Sequence, residues 1–233
     1  MQPIVIMGGF LSTPAAYRGM QESLAELAGQ PVWVVQAFVH DWILAVAPAG
    51  WKRLLDGLQR TVDQALAVSG ARRVTLVGHS AGGGVSRLYL APEPFLGVAY
   101  CGLEHVDRLI TLGSPHHSQR GTEMRQWVDD AYPGAYFAPQ VGYTSVAGRA
   151  VRGKRHGSFG ERCAYLFYRR LCGDGDAWGD GLVPEGSALL RGSRQVALDG
   201  VSHFSGFGGP WYGEREIVPL WWNACSVNIG RGS

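Results

Sequence analysis

Charge is scarce in this sequence: Asp, Glu, Lys and Arg supply 17% of its 233 residues and leave a formal net charge of +2. That excludes a charge-rich coiled coil and a disordered tail, and it gives no concentrated basic face for nucleic acid. Cysteine is rare as well. Cys101, Cys163, Cys172 and Cys225 contain no Cys-x-x-Cys spacing, which removes a thiolate metal site and leaves all four as expected free thiols. No apolar run reaches the ~18 residues of a membrane helix. Met1 leads straight into Ile4-Val5-Ile6 without the basic start, apolar stretch and cleavage site of an export signal, so the chain as written predicts a soluble, cytoplasmic protein. Internal repeats and low-complexity tracts are absent, as is any segment that calls for a cofactor.

Two things are abundant. Hydrophobic residues make up 46% of the chain, enough for a sizeable core, and 34 glycines with 12 prolines demand many tight turns and close backbone approaches. The length suits one domain spanning residues 1–233.

Short β-branched runs alternate with stretches of helical period, the pattern of an α/β fold with a mostly parallel sheet covered by helices on both faces. Strands are expected at Ile4 to Met7, Val32 to Gln36, Val74 to Val77, Val106 to Leu112, Val141 to Ala147 and Gln195 to Leu198. Tyr17, Met20, Leu24 and Leu27 recur at helical spacing after Ser12-Thr13-Pro14. Trp51, Leu54, Leu55, Leu58, Val62, Ala65 and Leu66 form the stripe of a long helix closed by Gly70. Further helices are expected from Ser80 to about Leu90, around Arg162 to Leu171, and in the Trp-rich segment ending near Trp222. The segments 116–139, helical from residue 120 and then loop-like, and 149–177, where periodicity weakens, read as cap insertions over a site.

Gly78-His79-Ser80-Ala81-Gly82 says little by its pattern alone in so glycine-rich a chain. Its place directly between an apolar strand and a helix says more. A nucleophile elbow needs that context, because the Ser must sit on a strained, exposed turn, while side chains at Gly78 and Gly82 would strike the neighbouring helix and strand. The helix N-terminus then aims free amides at an oxyanion above Ser80, the first being that of Ala81. A second donor belongs on the loop after an early strand, and Gly8-Gly9-Phe10-Leu11 assigns it to the Phe10 amide; the plainer account is that the glycines only end the strand. His79, adjacent to Ser80, is a poor base, since successive side chains of an extended segment point to opposite sides.

A serine hydroxyl needs a histidine to take its proton and a carboxylate to orient that histidine. Asp180, in Trp178-Gly179-Asp180-Gly181-Leu182-Val183-Pro184, and His203, in Gly200-Val201-Ser202-His203-Phe204, come in the order Ser, acid, His. Asp174 and Asp176 compete as acids. His116 and His117, after Gly113-Ser114-Pro115, compete as bases but break that order, and are otherwise expected to line the substrate pocket with Leu11, His79 and Phe204. His40, His105 and His156 have no such setting.

These motifs resemble the α/β-hydrolase superfamily, and within it the bacterial lipases and small lipase-like esterases of cyanobacteria and plastids. The resemblance runs through Gly8-Gly9-Phe10, Gly78 to Gly82, Ile110-Thr111-Leu112-Gly113-Ser114-Pro115-His116, Asp180 to Val183, and His203. It implies a serine esterase or lipase with Ser80, Asp180 and His203 as its triad and Phe10 and Ala81 as oxyanion donors. Gly8 stands where such lipases carry a His in the oxyanion loop. Ser205 stands where calcium-binding members place an Asp, so their metal site is not carried over.

Several features have two readings. Arg149, Arg152, Lys154 and Arg155 either dock on an anionic membrane surface or belong to a solvated loop. Trp211, Trp221 and Trp222 either form an acyl pocket or an interfacial belt, or pack the last helix. Asp174, Asp176 and Asp180 offer oxygen ligands for a hard cation, without a complete set. The function expected is hydrolysis of a lipophilic carboxylic ester; a thioesterase or acyltransferase would use the same residues, and a binding protein of this fold would keep the pocket with little turnover.

Overall fold

The computed structural model describes residues 2–118, 121–206 and 209–226. The chain opens with strand β1 (Ile4–Met7), a short 3-10 turn (Pro14–Tyr17), helix α1 (Arg18–Ala28), strand β2 (Val32–Val34) and helices α2 (Val39–Leu44) and α3 (Pro48–Ser69). Strand β3 (Val74–His79), helix α4 (Ala81–Tyr89), helix α5 (Gly102–His105), strand β4 (Val106–Leu112), helix α6 (Glu123–Ala131) and strand β5 (Gly142–Arg149) follow. After strand β6 (Val151–Arg152), helix α7 (Phe159–Cys172) and strand β7 (Trp178–Gly179) come helix α8 (Glu185–Ala188), strand β8 (Arg194–Asp199) and helix α9 (Val218–Ser226).

Six strands form one parallel sheet in the order β2-β1-β3-β4-β5-β8. Both of its faces are covered, and alternation along each strand divides the core in two. Val5 and Met7 of β1 and Leu76 of β3 face a cluster with Leu54, Leu55, Leu58 and Val62 of α3 and Val85 and Leu88 of α4. Ile4, Ile6 and Val77 face the other way, against Met20 and Leu24 of α1 and Val218 and Trp221 of α9. Each such fully buried aliphatic side chain contributes about 1.5–3 kcal/mol relative to exposure.

Strand order reverses between β1 and β3: the chain first moves outward to β2, then returns to start β3 on the other side. Such a switch point leaves a crevice at the carboxyl ends of the two strands, where connecting loops part in opposite directions. The Gly8-Gly9 loop and Ser80 both lie there.

The expected strands all form, β1 and β4 over the expected residues and the other four with shifted ends. β3 runs on through Gly78 and His79 because these pair with Thr111 and Leu112 of β4. β2 stops at Val34. The expected long helix is α3, with Pro48 in its first turn and Gly70 closing it at φ 67°. Helix α6 forms the helical first part of 120–139 and the remainder is loop, with Arg120 outside the described residues. Helix α2 carried no periodic signal; the Asp41 carboxylate starts it by accepting from the Phe38 amide at 2.9 Å. Between β5 and α8, β6 and β7 pair antiparallel beside α7, whose start is a reciprocal cap between Ser158 and Glu161. Among the described residues no helix is long and apolar enough to cross a membrane. Cys101, Cys163, Cys172 and Cys225 are free thiols.

Candidate active site

Ser80 joins β3 to α4 with φ 52° and ψ −127°, a conformation that a side-chain-bearing residue adopts only when its surroundings enforce it. Those surroundings are close-packed. A Cβ built on Gly78 would lie 2.8 Å from the Gly83 Cα in α4, and one on Gly82 would run into the carbonyls of Met7 and Gly8. The turn therefore brings strand and helix nearer than any side chain at those positions permits, and lifts the hydroxyl into the crevice.

Asp180 and His203 meet Ser80 from two later loops. The His203 Nε2 is 2.9 Å from the Ser80 hydroxyl, and its Nδ1 is 2.7 Å from Asp180 Oδ2. A carboxylate only accepts, so Nδ1 carries the proton and Nε2 turns its lone pair to Ser80. Asp180 is 1% exposed and His203 4%, so neither exchanges partners with bulk water. The carboxylate is fully engaged: Oδ1 accepts the Leu182 and Val183 amides at 3.1 and 2.8 Å, and Oδ2 also accepts the Tyr212 hydroxyl at 2.9 Å. Burial and the neighbouring Asp180 charge hold the Tyr212 phenol far above its usual range, so it remains a donor. The acid loop is further tied to α7, where the Tyr168 hydroxyl accepts the Gly181 amide at 2.8 Å.

The loop after β1 closes the other side. In place of an anchoring His at position 8, the Gly9 amide donates to the Tyr17 hydroxyl at 2.7 Å, which lies 2.8 Å from His79 Nδ1. On the far side of the ring, His79 Nε2 is 3.1 Å from the His203 carbonyl. A carbonyl only accepts, so Nε2 bears the proton and Tyr17 donates to Nδ1, giving one unbroken relay from the Phe10 loop to the His203 loop. Burial, then the nearby His203, push the His79 imidazole well below its normal pKa, so it stays neutral. The Phe10 amide makes no hydrogen bond among the described residues, and the Ala81 amide opens α4, where no helical carbonyl precedes it.

Above the three residues lies a cavity of about 1050 Å³. Phe10, Leu11, Leu182, Phe204 and Trp211 give it apolar walls, and His79 lies at its floor. Helix α7 contributes Phe167 and Leu171, and the start of α6 contributes Gly121 and Thr122, so both segments expected as cap insertions border this opening.

Other candidates fall elsewhere. His116 and His117 do not line the cavity, contrary to expectation. Beyond Pro115 the main chain is drawn to Ser187, whose carbonyl accepts the His116 amide, and the His116 ring turns inward to Thr111 Oγ1 at 2.9 Å and Arg87 at 3.4 Å. His117 faces outward. Asp174 and Asp176 are exposed; Asp176 pairs with Arg152 at 2.9 Å and Asp174 caps its amide. Arg149 and Lys154 are also ion-paired, to Glu185 and Asp199 and to Glu161. The tryptophans divide: Trp211 borders the cavity, while Trp221 is buried in the core and donates to the Tyr212 carbonyl. Among the described residues no cluster of three or more His, Cys, Asp and Glu side chains is arranged for a metal ion. The sequence signals missed Tyr17 and Tyr212, since each sits in an apolar helical or aromatic-rich stretch and reaches the site through a residue distant in the chain, His79 and Asp180 respectively.

A family model described as a PGAP1-like alpha/beta domain matches residues 54–128, from α3 through α6. No curated protein matches the chain. Among solved structures, the lin2722 gene product of Listeria innocua is 14% identical, with 99% of this chain and 96% of that one covered at a TM-score of 0.56. MGS-MChE2, an alpha/beta hydrolase enzyme from a sediment metagenome of the Mar Chica lagoon in Morocco, is 14% identical over 96% of this chain and 91% of that one, at a TM-score of 0.51. At this identity the likeness concerns architecture; with strand order β2-β1-β3-β4-β5-β8, the chain has the α/β-hydrolase fold.

Proposed function

We propose that this protein is a serine hydrolase that cleaves lipophilic carboxylic esters, with Ser80 as nucleophile, His203 as base and acid, and Asp180 as its orienting partner. The observation that carries the reading is the continuous contact from Ser80 Oγ through His203 to Asp180 beneath a largely apolar cavity.

In this reading Ser80 Oγ attacks the ester carbonyl carbon while His203 Nε2 takes the hydroxyl proton. The carbonyl electron pair moves onto oxygen, where the Phe10 and Ala81 amides stabilise it, each worth roughly 3 kcal/mol in the transition state. Collapse of the tetrahedral species breaks the carbon–oxygen bond to the alcohol, which leaves with the proton from His203. Water then attacks the acyl-enzyme, passes a proton to His203, and the acid departs as Ser80 regains it. The neutral His79 matters electrostatically, for its ring centre lies 4.9 Å from that of His203, and a second cation there would oppose the imidazolium that catalysis forms.

Turnover of p-nitrophenyl esters of increasing chain length tests the proposal. Wild type should exceed Ser80→Ala by at least about 10³-fold. Equal, background rates across the series would instead favour a binding protein, and matched thioesters and alcohol acceptors separate hydrolysis of esters from the related acyl transfers.

A further inference from the structure

The cavity over Ser80 is largely apolar, but its lining is also charged. Its lining includes two cations, Arg125 of α6 and Arg170 of α7, and no Asp or Glu among the described residues. Both arginines line this one cavity. The same two helices also line a second depression, with Gln126, Asp129 and Asp130 of α6 and Cys172 of α7.

Neither guanidinium makes a hydrogen bond or ion pair among the described residues, which separates them from the three paired cations of the neighbouring segment. Arg149, Arg152 and Lys154 are all paired with carboxylates. The carboxylate next to Arg125 is Asp129, one helical turn on, but it is held by the buried Arg87 at 2.5 Å. Arg125 is half-buried, and burial works against its charge with only the Coulomb pull of Asp129 opposing. A desolvated guanidinium without a partner is costly, and five fixed donors suit carboxylate or phosphate oxygens.

Resting on the esterase reading above, we propose that Arg125 and Arg170 form an anion subsite, so that the preferred substrate is an amphiphilic ester carrying a carboxylate or phosphate group beyond its apolar portion. The apolar walls take the chain, the arginines take the anionic oxygens, and the ester bond lies at Ser80.

Matched ester pairs test this. Mono-p-nitrophenyl suberate beside p-nitrophenyl octanoate places the charge on the acyl side; monooctanoylglycerol phosphate beside monooctanoylglycerol places it on the alcohol side. In wild type the charged member of at least one pair should have about tenfold or more higher kcat/KM, and Arg170→Gln and Arg125→Gln should each shrink that ratio towards one. Arg170 is exposed, so its replacement leaves packing intact even where Arg125→Gln fails to fold. Calorimetric titration of octyl phosphate and octanol into Ser80→Ala gives a readout without turnover: octyl phosphate should bind more tightly, and Arg170→Glu in that background should weaken it about tenfold. Equal kcat/KM within both pairs, a preference that survives both Gln substitutions, or equal binding of the two octyl ligands would overturn the subsite. Loss of all Ser80-dependent turnover, with octyl phosphate binding intact, would sink the esterase reading and leave the anion subsite standing.

Discussion

The Tyr17 hydroxyl lies 2.8 Å from Nδ1 of His79, and through this contact the loop bearing Phe10 is coupled to the loop bearing His203. Tyr17 stands at the end of the first helical turn, His79 at the end of β3, and the relay continues to the Gly9 amide on one side and the His203 carbonyl on the other. A loop usually drifts more than the sheet that carries it. Here both loops share one buried aromatic pair, so their separation is set by side chains fixed in the core.

Tyr17→Phe removes the acceptor of the Gly9 amide and leaves a buried donor unsatisfied, at about 1–3 kcal/mol. Thermal melting should fall accordingly. The Phe10 amide should also lose its fixed position, with kcat on ester substrates down about tenfold, since 1.36 kcal/mol of lost transition-state stabilisation is one decade. A normal kcat in a protein that melts early would show that other contacts hold the loop.

Asp180 receives four hydrogen bonds, and they differ in what they do. Asp180→Asn removes the charge and permits the wrong tautomer of His203, which should lower kcat on the order of 10³–10⁴-fold with the fold retained. Tyr212→Phe keeps the charge and deletes one donor, while also orphaning the Gly148 amide that donates to this hydroxyl at 2.7 Å. Its loss should show mainly in stability, about 1–3 kcal/mol by chemical denaturation, with a much smaller fall in kcat. A Tyr212→Phe enzyme as slow as Asp180→Asn would contradict this division.

Gly9 faces the nucleophile: a Cβ built on it would lie 2.7 Å from the Ser80 Cβ. Gly9→Ala should therefore displace the loop carrying Phe10. Because one oxyanion donor is worth roughly 3 kcal/mol, kcat should drop about a hundredfold, with a smaller change in melting temperature. Kinetics matching wild type would remove Phe10 from the proposed mechanism.

His79 and His116 are both buried and neutral, each held well below the ordinary histidine value of 6.5 by desolvation first of all. Their folded pKa values are depressed, so the unfolded chain binds more protons below about pH 6.5. The stability they contribute is complete above that pH and is lost as pH falls towards the folded values, at up to about 1.4 kcal/mol per pH unit for each. Urea melts at pH 7.5, 6.0 and 5.0 should show stability decreasing in that order, and a flat profile would mean that the two rings are solvated.

Much of this architecture was legible in short stretches of sequence. β1 and β4 form over the expected residues because Ile4 to Met7 and Val106 to Leu112 are apolar runs bounded by turn residues, a local signal. The same holds for the elbow, where Gly78 and Gly82 mark contacts that no side chain survives. Signals from residue type alone were weaker: His116 and His117 follow a strand end at the right edge of the sheet, yet the chain's turn towards Ser187 takes them away from the cavity.

Residue order along the chain determined the fold class and singled out Ser80, Asp180 and His203, because hydrophobic period and turn chemistry act over a few residues and leave their mark there. Tertiary structure alone decided that Tyr17 and His79 bridge two loops, that Tyr212 completes the Asp180 shell from 32 residues away, and that Arg125 and Arg170 enter one cavity. Such contacts join segments whose spacing carries no common period, so they exist only once the sheet and its helices have closed.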